Sequence, residues 1–189
     1  MSIKLSRNPQ IGYVPRPVVI VSCSDGEKGA DLVTVSWTGV LCSSPLLVYI
    51  SLRPNRYSSG LIKKVGDFVI NIPSVHQVKL TDYCGIVSGR KVDKIKASGL
   101  TLKPGVKTKS PYIYECLINF ECIVKEIISL GTHDMFIAEL VYEHIDQDIL
   151  DEEYNIKTGN LLVSAFGEYW GTDGPLGQCF NIGLDFKAR

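Results

Sequence analysis

The stretch Ser51-Leu52-Arg53-Pro54-Asn55-Arg56-Tyr57-Ser58-Ser59 concentrates two arginines and three serines where an apolar run gives way to a helical pattern. A helix start offers unpaired backbone N–H groups and the positive end of the peptide dipoles, so this mixture suits a phosphate monoester. The same residues also describe an ordinary capped helix with solvated arginines, because serine caps are common. Upstream, Asp31-Leu32-Val33-Thr34-Val35-Ser36-Trp37 alternates apolar and polar residues and brings small hydroxyls and an indole into one neighbourhood. A flat heteroaromatic ring could lie on such a strand and bond to its backbone; an ordinary half-buried strand has the same pattern.

These residues need elements to hold them. Val18 to Ser22, Leu32 to Trp37, Leu47 to Leu52 and Phe68 to Ile72 are rich in Val, Ile, Tyr and Phe and are predicted as strands, with Ser24 to Gly29 a turn and Arg16-Pro17 an extended lead into the first strand. Leu61, Ile62 and Val65 at helical spacing predict a short helix over Tyr57 to Val65, closed by Gly66, with Ser58-Ser59 as caps. A second helix is predicted over Val75 to Ile86, ending at Gly85 or Gly89. Leu117 to Ile128 and Met135 to Ile145 read as two long β segments joined by a turn over Ser129 to Asp134, and Leu161 to Phe166 as a further strand before Tyr169-Trp170-Gly171 and a Gly-rich tail. Seven strand candidates against two or three short helices predict a mainly β (β-rich α+β) barrel, and 189 residues without repeat or linker predict one domain over 1–189.

Composition removes several classes. Twenty Lys+Arg balance twenty Asp+Glu, and the longest basic run is Lys63-Lys64, which leaves no footprint for nucleic acid. No apolar run approaches the roughly 20 residues of a membrane span, and the first ten residues lack the apolar segment of a secretory signal, so the expected compartment is the cytoplasm. Six cysteines without paired spacing and three histidines disfavour a metal site, and Cys42, Cys116 and Cys122 read as small buried hydrophobes. There is no G-x-S-x-G, H-E-x-x-H, Walker loop or G-x-G-x-x-G.

Taken in order, Arg16-Pro17, Thr34-Val35-Ser36-Trp37, Ser51-Leu52-Arg53-Pro54-x-Arg56-Tyr57-Ser58, Phe68-Val69-Ile70-Asn71-Ile72-Pro73, Ser88-Gly89 with Asp93-Lys94, Gly131-x-His133-x-x-Phe136 and Tyr169-Trp170 resemble the flavin reductase-like, FMN-binding split-barrel family, and within it the flavoredoxin group. The resemblance covers most of the chain and implies a split β-barrel homodimer with noncovalent FMN near the subunit interface. It implies that Thr34, Val35, Ser36 and Trp37 line the ring system and ribityl chain, that Ser51, Leu52, Arg53, Arg56, Tyr57 and Ser58 form the phosphate segment, and that Asn71 sits close to the pocket. Lys94 would place a cation by the flavin, His133 would approach flavin or substrate, and Phe166 and Trp170 would close the pocket. Lys94 and His133 are thus the candidates for a part in catalysis, although each also reads as a surface lysine and a plain turn histidine. One departure stands out: members of the group often carry asparagine three residues before Thr34, and this chain has Asp31. A carboxylate only accepts hydrogen bonds and would oppose flavin reduction if it stood close; it could equally cap the turn after Gly29-Ala30.

The flavin would carry the chemistry, with NAD(P)H as a transient donor because no dinucleotide fingerprint is present, and a flavin, a metal complex or a protein as acceptor. A nonenzymatic FMN electron carrier reduced by a partner protein is the alternative, and a barrel-shaped binding module without flavin the third reading.

Overall fold

The computed structural model of the chain describes residues 4–11, 14–27, 29–156, 161–172 and 174; Cys179 and most of the Gly-rich tail lie outside the described residues. The β-branched runs form strands β1 (Arg16–Pro17), β2 (Val19–Ser24), β3 (Ala30–Val35), β4 (Thr38–Ser43), β5 (Leu46–Leu52), β6 (Asp67–Ile72), β7 (Leu102–Lys103), β8 (Tyr112–Ile113), β9 (Ile118–Ser129), β10 (Asp134–Ile145), β11 (Leu162–Ala165) and β12 (Glu168–Gly171). Helices α1 (Tyr57–Val65), α2 (Val78–Ile86) and α3 (Lys94–Ser98) interrupt them.

Seven strands make one antiparallel sheet in the order β3-β2-β6-β9-β10-β5-β4. Its two edges, β3 and β4, are consecutive in the chain and joined only by Ser36 and Trp37. Three virtual bonds span at most about 11 Å, whereas the outer strands of a flat seven-stranded sheet would stand about 29 Å apart at the usual spacing. The sheet therefore curls into a barrel, with Ser36-Trp37 stitching one end of an otherwise open seam. Register shifts at Ile137/Ala138 and Leu140/Tyr142 in the long β9–β10 hairpin, and at Val40/Cys42 in β4–β5, supply local bending.

The apolar run of β2 is buried on both faces, which explains why it shows no alternation. Val19, Val21 and Cys23 point into the barrel with Val33, Val35, Ile50, Phe68 and Phe136, while Ile20 and Leu32 point outward against Cys84 of α2 and against Ile113 and Cys116. A fully buried Phe68 or Phe136 contributes about 1.5–3 kcal/mol by area alone. Helix α1 packs Leu61 and Ile62 into this core and ends at Gly66, whose φ of 83° is the left-handed value glycine accepts without strain. Lys63 of α1 bridges to Asp134 of β10 at 2.7 Å.

Two buried carboxylates fasten the connection between β7 and β8. Glu121 accepts from the N–H groups of Val106, Lys107 and Thr108 at 2.7–2.9 Å and pairs with His144 at 2.7 Å, and Asp67 accepts from the N–H groups of Lys109 and Ser110. Burial pushes the Glu121 carboxyl up, but the Val106, His144, Lys107 and Thr108 bonds together outweigh it and hold the group below its ordinary value.

The sequence expectation of a strand running to Trp37 is corrected: β3 stops at Val35, because Ser36 and Trp37 must turn across the seam. Gly85 does not end the second helix, which runs on to Ile86. Neither Ser58 nor Ser59 caps α1; the cap position is Arg56 in extended conformation with no side-chain cap. Cys116 and Cys122 are buried as expected, and Cys42 is half-buried on the edge strand β4. Among the described residues no helix is long and apolar enough to cross a membrane, and no cluster of three metal-ligating side chains occurs.

Candidate functional site

The seam puts three loops side by side: Ser36-Trp37 between the edge strands, Arg53 to Arg56 leaving β5 for α1, and Leu130 to His133 between β9 and β10. The N–H of Ser51 donates to the Trp37 carbonyl at 2.9 Å, tying the first two together. Pairing of Met135 with Ser51 and of Asp134 with Leu52 brings the third alongside, so that the His133 ring lies 4.4 Å from the Trp37 ring at 34°. A cavity of 130 Å³ opens between them, lined by Thr34, Val35, Ser36 and Trp37, by Ser51, Leu52, Arg53 and Arg56, and by His133.

The cavity has two arginines and, among the described residues, no acidic residue on its lining. Arg53 and Arg56 stand before the first turn of α1, which holds no acidic residue, and neither arginine has an ion-pair partner among the described residues. The open N–H groups of α1 and two fork-shaped guanidinium groups, neither ion-paired among the described residues, fit a phosphate monoester. Burial, and then the Arg53 charge, hold His133 below its ordinary value, so its ring is neutral at pH 7; Nδ1 is bonded to Thr132 Oγ1 at 2.9 Å. An uncharged, tilted ring against an indole leaves an apolar wall for a heteroaromatic ligand, and the edge position of β3 leaves the backbone groups of Thr34, which like those of Leu32 face away from β2, for it to bond.

Asp31, Ser58 and Lys94 come together elsewhere, in a buried cluster behind this lining. Asp31 and Lys94 are each only 3% exposed, with Nζ 3.3 Å from Oδ1. Ser58 donates to the other carboxylate oxygen at 2.5 Å, and Lys94 also donates to the carbonyls of Leu32 and Cys84. Lys94 is therefore no solvated surface lysine, and Asp31 caps no turn. The charge that set this chain apart from the asparagine of its group is compensated within the fold. Gly89 closes over the pair: a Cβ there would stand 2.2 Å from Asp31 Oδ1 and 2.8 Å from the Tyr57 ring. Asp31, Tyr57 and Lys94 border a separate, larger cavity of 720 Å³ with Arg90, Lys103 and Lys109 on its rim.

Three further expected residues are placed away from the seam. Asn71 is fully buried among strands, donating to the Ile20 carbonyl and Ser22 Oγ and accepting from the Ile113 N–H and Asn119; a buried amide between strands is used up by its neighbours. Phe166 sits on the exposed β11–β12 turn with a left-handed φ of 56°. Trp170 donates to the Ala165 carbonyl and lines a shallow cleft with Val75, Val78 and Leu162.

Two further lobes share lining with the central cavity. One, of 310 Å³, takes in Thr34, Ser36 and Arg56 together with Asp82, Ser164 and Tyr169. The other, of 480 Å³, takes in Ser36, Trp37, Ser51 and His133 together with Arg16, Tyr49 and Met135. Sequence reasoning missed Asp82, Tyr49 and Met135 at these lobes, and used Arg16 as a strand lead and a family motif without placing it in a cavity; β5–β10 pairing brings Tyr49 and Met135 there and the packing of α2 brings Asp82, neither of which local patterns carry.

A family profile described as "Flavin reductase like domain" matches residues 11–169. The chain is 30% identical over 133 residues to an NADPH-flavin oxidoreductase of Streptomyces viridifaciens, covering 68% of this chain and 66% of that protein. Among solved structures it is similar to the flavoredoxin of Desulfovibrio vulgaris (Miyazaki F), with a TM-score of 0.89 and 29% identity over 96% of this chain and 100% of the other. An FMN-binding protein of Thermus thermophilus, solved with bound 1-cyclohex-2-enone, superposes with a TM-score of 0.80 and 25% identity, covering 94% and 99%.

Proposed function

Because the chain belongs to the flavin reductase-like family, we propose that it is an FMN-dependent oxidoreductase that takes electrons from NAD(P)H and passes them to a small-molecule or protein acceptor. The observation that carries the reading is the junction at the seam: two arginines without carboxylate partners at an uncapped helix start, next to an edge strand and an indole–imidazole wall. Arg53, Arg56 and the first N–H groups of α1 hold the phosphate, Ser36 and Ser51 border the ribityl chain, and the β3 edge with Trp37 holds the ring system. Bound FMN supplies a ring that accepts hydride and releases electrons singly or in pairs. His133, kept neutral, adds no positive charge against which a cationic nicotinamide product would have to form. Lys94 acts through position: it neutralises Asp31 and anchors the carbonyls of Leu32 and Cys84, fixing the backbone of the strand beneath the ring.

The likeness to a flavoredoxin supports a second reading, a carrier reduced by a partner protein. Among the described residues, Trp170 lines a cleft other than the 480 Å³ lobe beside Trp37 and His133, which supports the first. A homodimer belongs to the same proposal, and the exposed apolar Val40 and Leu41 of edge strand β4, with Leu46 of β5, support it; light scattering gives a dimer mass if it holds and a monomer mass if it does not. The deciding experiment is the visible spectrum of the purified protein, with the chromophore released by heat and identified against FMN and FAD, followed by stopped-flow mixing with NADH and NADPH. Released FMN that bleaches with either nucleotide supports the reductase; bound FMN that bleaches with neither leaves the carrier; a colourless protein that refuses added FMN overturns both.

A further inference from the structure

The 480 Å³ lobe differs in chemistry from the cavity it adjoins. Ile11, Val14, Leu130 and Met135 wall it with hydrocarbon, and Tyr49 and Trp37 give it flat aromatic faces. Arg16 is the one permanently charged side chain on its lining among the described residues, no carboxylate is present, and His133 is neutral. The Arg16 Nε is buried and has no hydrogen-bond partner among the described residues. A guanidinium cannot shed its proton, and a buried donor without an acceptor is a rare and costly feature of a folded chain. An acceptor arriving with the ligand would remove that cost, and a carboxylate, with two oxygens matched to the guanidinium fork, does so best.

We infer that this lobe binds a second ligand, a planar organic compound carrying a single carboxylate, with the carboxylate on Arg16 and the ring against Trp37 and Tyr49. The single cation sets the charge: a second anionic group would meet no second cation, only the hydroxyls of Ser36, Thr38, Ser51 and Thr132 besides hydrocarbon and neutral rings, whereas a phosphate has a better home at Arg53 and Arg56. The aromatic faces set the shape. The assignment of this compound as the partner of FMN rests on the reading above; its binding to Arg16 does not.

Benzoate is the probe, benzamide its uncharged counterpart of the same shape, and calorimetry with tryptophan fluorescence the readout, on protein saturated with FMN. Benzoate is expected to bind at least roughly tenfold more tightly than benzamide, the scale of one charge-assisted contact. Arg16→Gln removes that advantage and leaves benzamide binding as it was, while Arg16→Lys keeps part of it. Should Arg16→Gln fail to fold, Leu130→Glu, at a position 58% exposed on the rim, places a repelling carboxylate and weakens benzoate alone. Equal binding of benzoate and benzamide, no binding of benzoate, or benzoate affinity indifferent to both variants overturns the inference. The same titration on FMN-free protein separates the two readings. FMN retained without Arg16-dependent benzoate binding sinks this inference alone; Arg16-dependent binding in a chain that refuses FMN sinks only the cofactor reading.

Discussion

Lys94→Met keeps the length of the side chain and removes its charge, leaving Asp31 with Ser58 as its one remaining polar partner. The wild-type pair is 3.3 Å apart and 3% exposed on both sides, so solvent cannot take over from the lost ammonium. Removing one member of a buried pair costs about 3–5 kcal/mol. The surviving 2.5 Å bond from Ser58 places the expected loss toward the lower end, about 3 kcal/mol. That is roughly a hundredfold in the folding equilibrium and a large share of the 5–15 kcal/mol that holds an ordinary domain together. Asp31→Asn removes the charge from the other side and leaves Lys94 its two carbonyl acceptors, for an expected loss of about 1–3 kcal/mol. In the double variant no charge is left stranded, so the two losses do not add, and a coupling of about 2 kcal/mol is expected. Urea denaturation of all four proteins at neutral pH, followed by circular dichroism, measures the cycle. A Lys94→Met protein within about 1 kcal/mol of wild type, or single losses that sum to the double within about 0.5 kcal/mol, refutes the buried pair.

Arg53→Ala and Arg56→Ala each forfeit a charge-assisted contact of about 1.5–3 kcal/mol, so FMN affinity measured by flavin fluorescence quenching should fall roughly 10- to 150-fold for each. His133 titrates below its ordinary value of 6.5, so between those two values the unfolded chain binds more protons than the native one and stability rises with pH. His133→Gln should therefore flatten the loss of melting temperature from pH 7 to pH 5.5 relative to wild type; an unchanged slope would show the ring to be solvated. Glu121 is held low, so its contribution is full above the ordinary glutamate range and is lost as pH falls through its depressed native value. Glu121→Gln should cost about 1.5–3 kcal/mol in urea at pH 7, and the gap to wild type should narrow in acid.

What the sequence made legible was mostly local. The strand read over Val18 to Ser22, which the structure extends to Ser24, the helix over Tyr57 to Val65 and the two long strands on either side of His133 follow from β-branching, helical spacing and turn residues, all carried within a dozen positions. Strand β4 escaped notice because Thr38, Gly39 and Ser43 dilute its apolar signal; pairing with β5, not propensity, makes it a strand. At the candidate site, the structure brings Arg53, Arg56, Ser36 and Trp37 together, as their type and order suggested. It places Asn71, Phe166 and Trp170 away from that cavity, because sharing a motif with a segment says nothing about which side of the strand or turn a side chain leaves from. Asp31 and Lys94 were flagged but their pairing was not, since it depends on α3 folding back across β3, 63 positions apart in the chain.

A barrel whose free edges are tied by two residues has one place where it can part without breaking a ladder of backbone bonds. If β4 and β5 move away from β2 and β3 together with β10, to which β5 stays paired, the chain link across the seam that must absorb the change is Ser36-Trp37, and the movement carries Ser51 and Arg53 with it. The hinge of the barrel and the wall of the cavity are thus the same pair of residues. Breathing of the scaffold and widening of the pocket are one coordinate, and a ligand that bridges Thr34 on one lip to Arg53 on the other works as a clasp on the whole barrel.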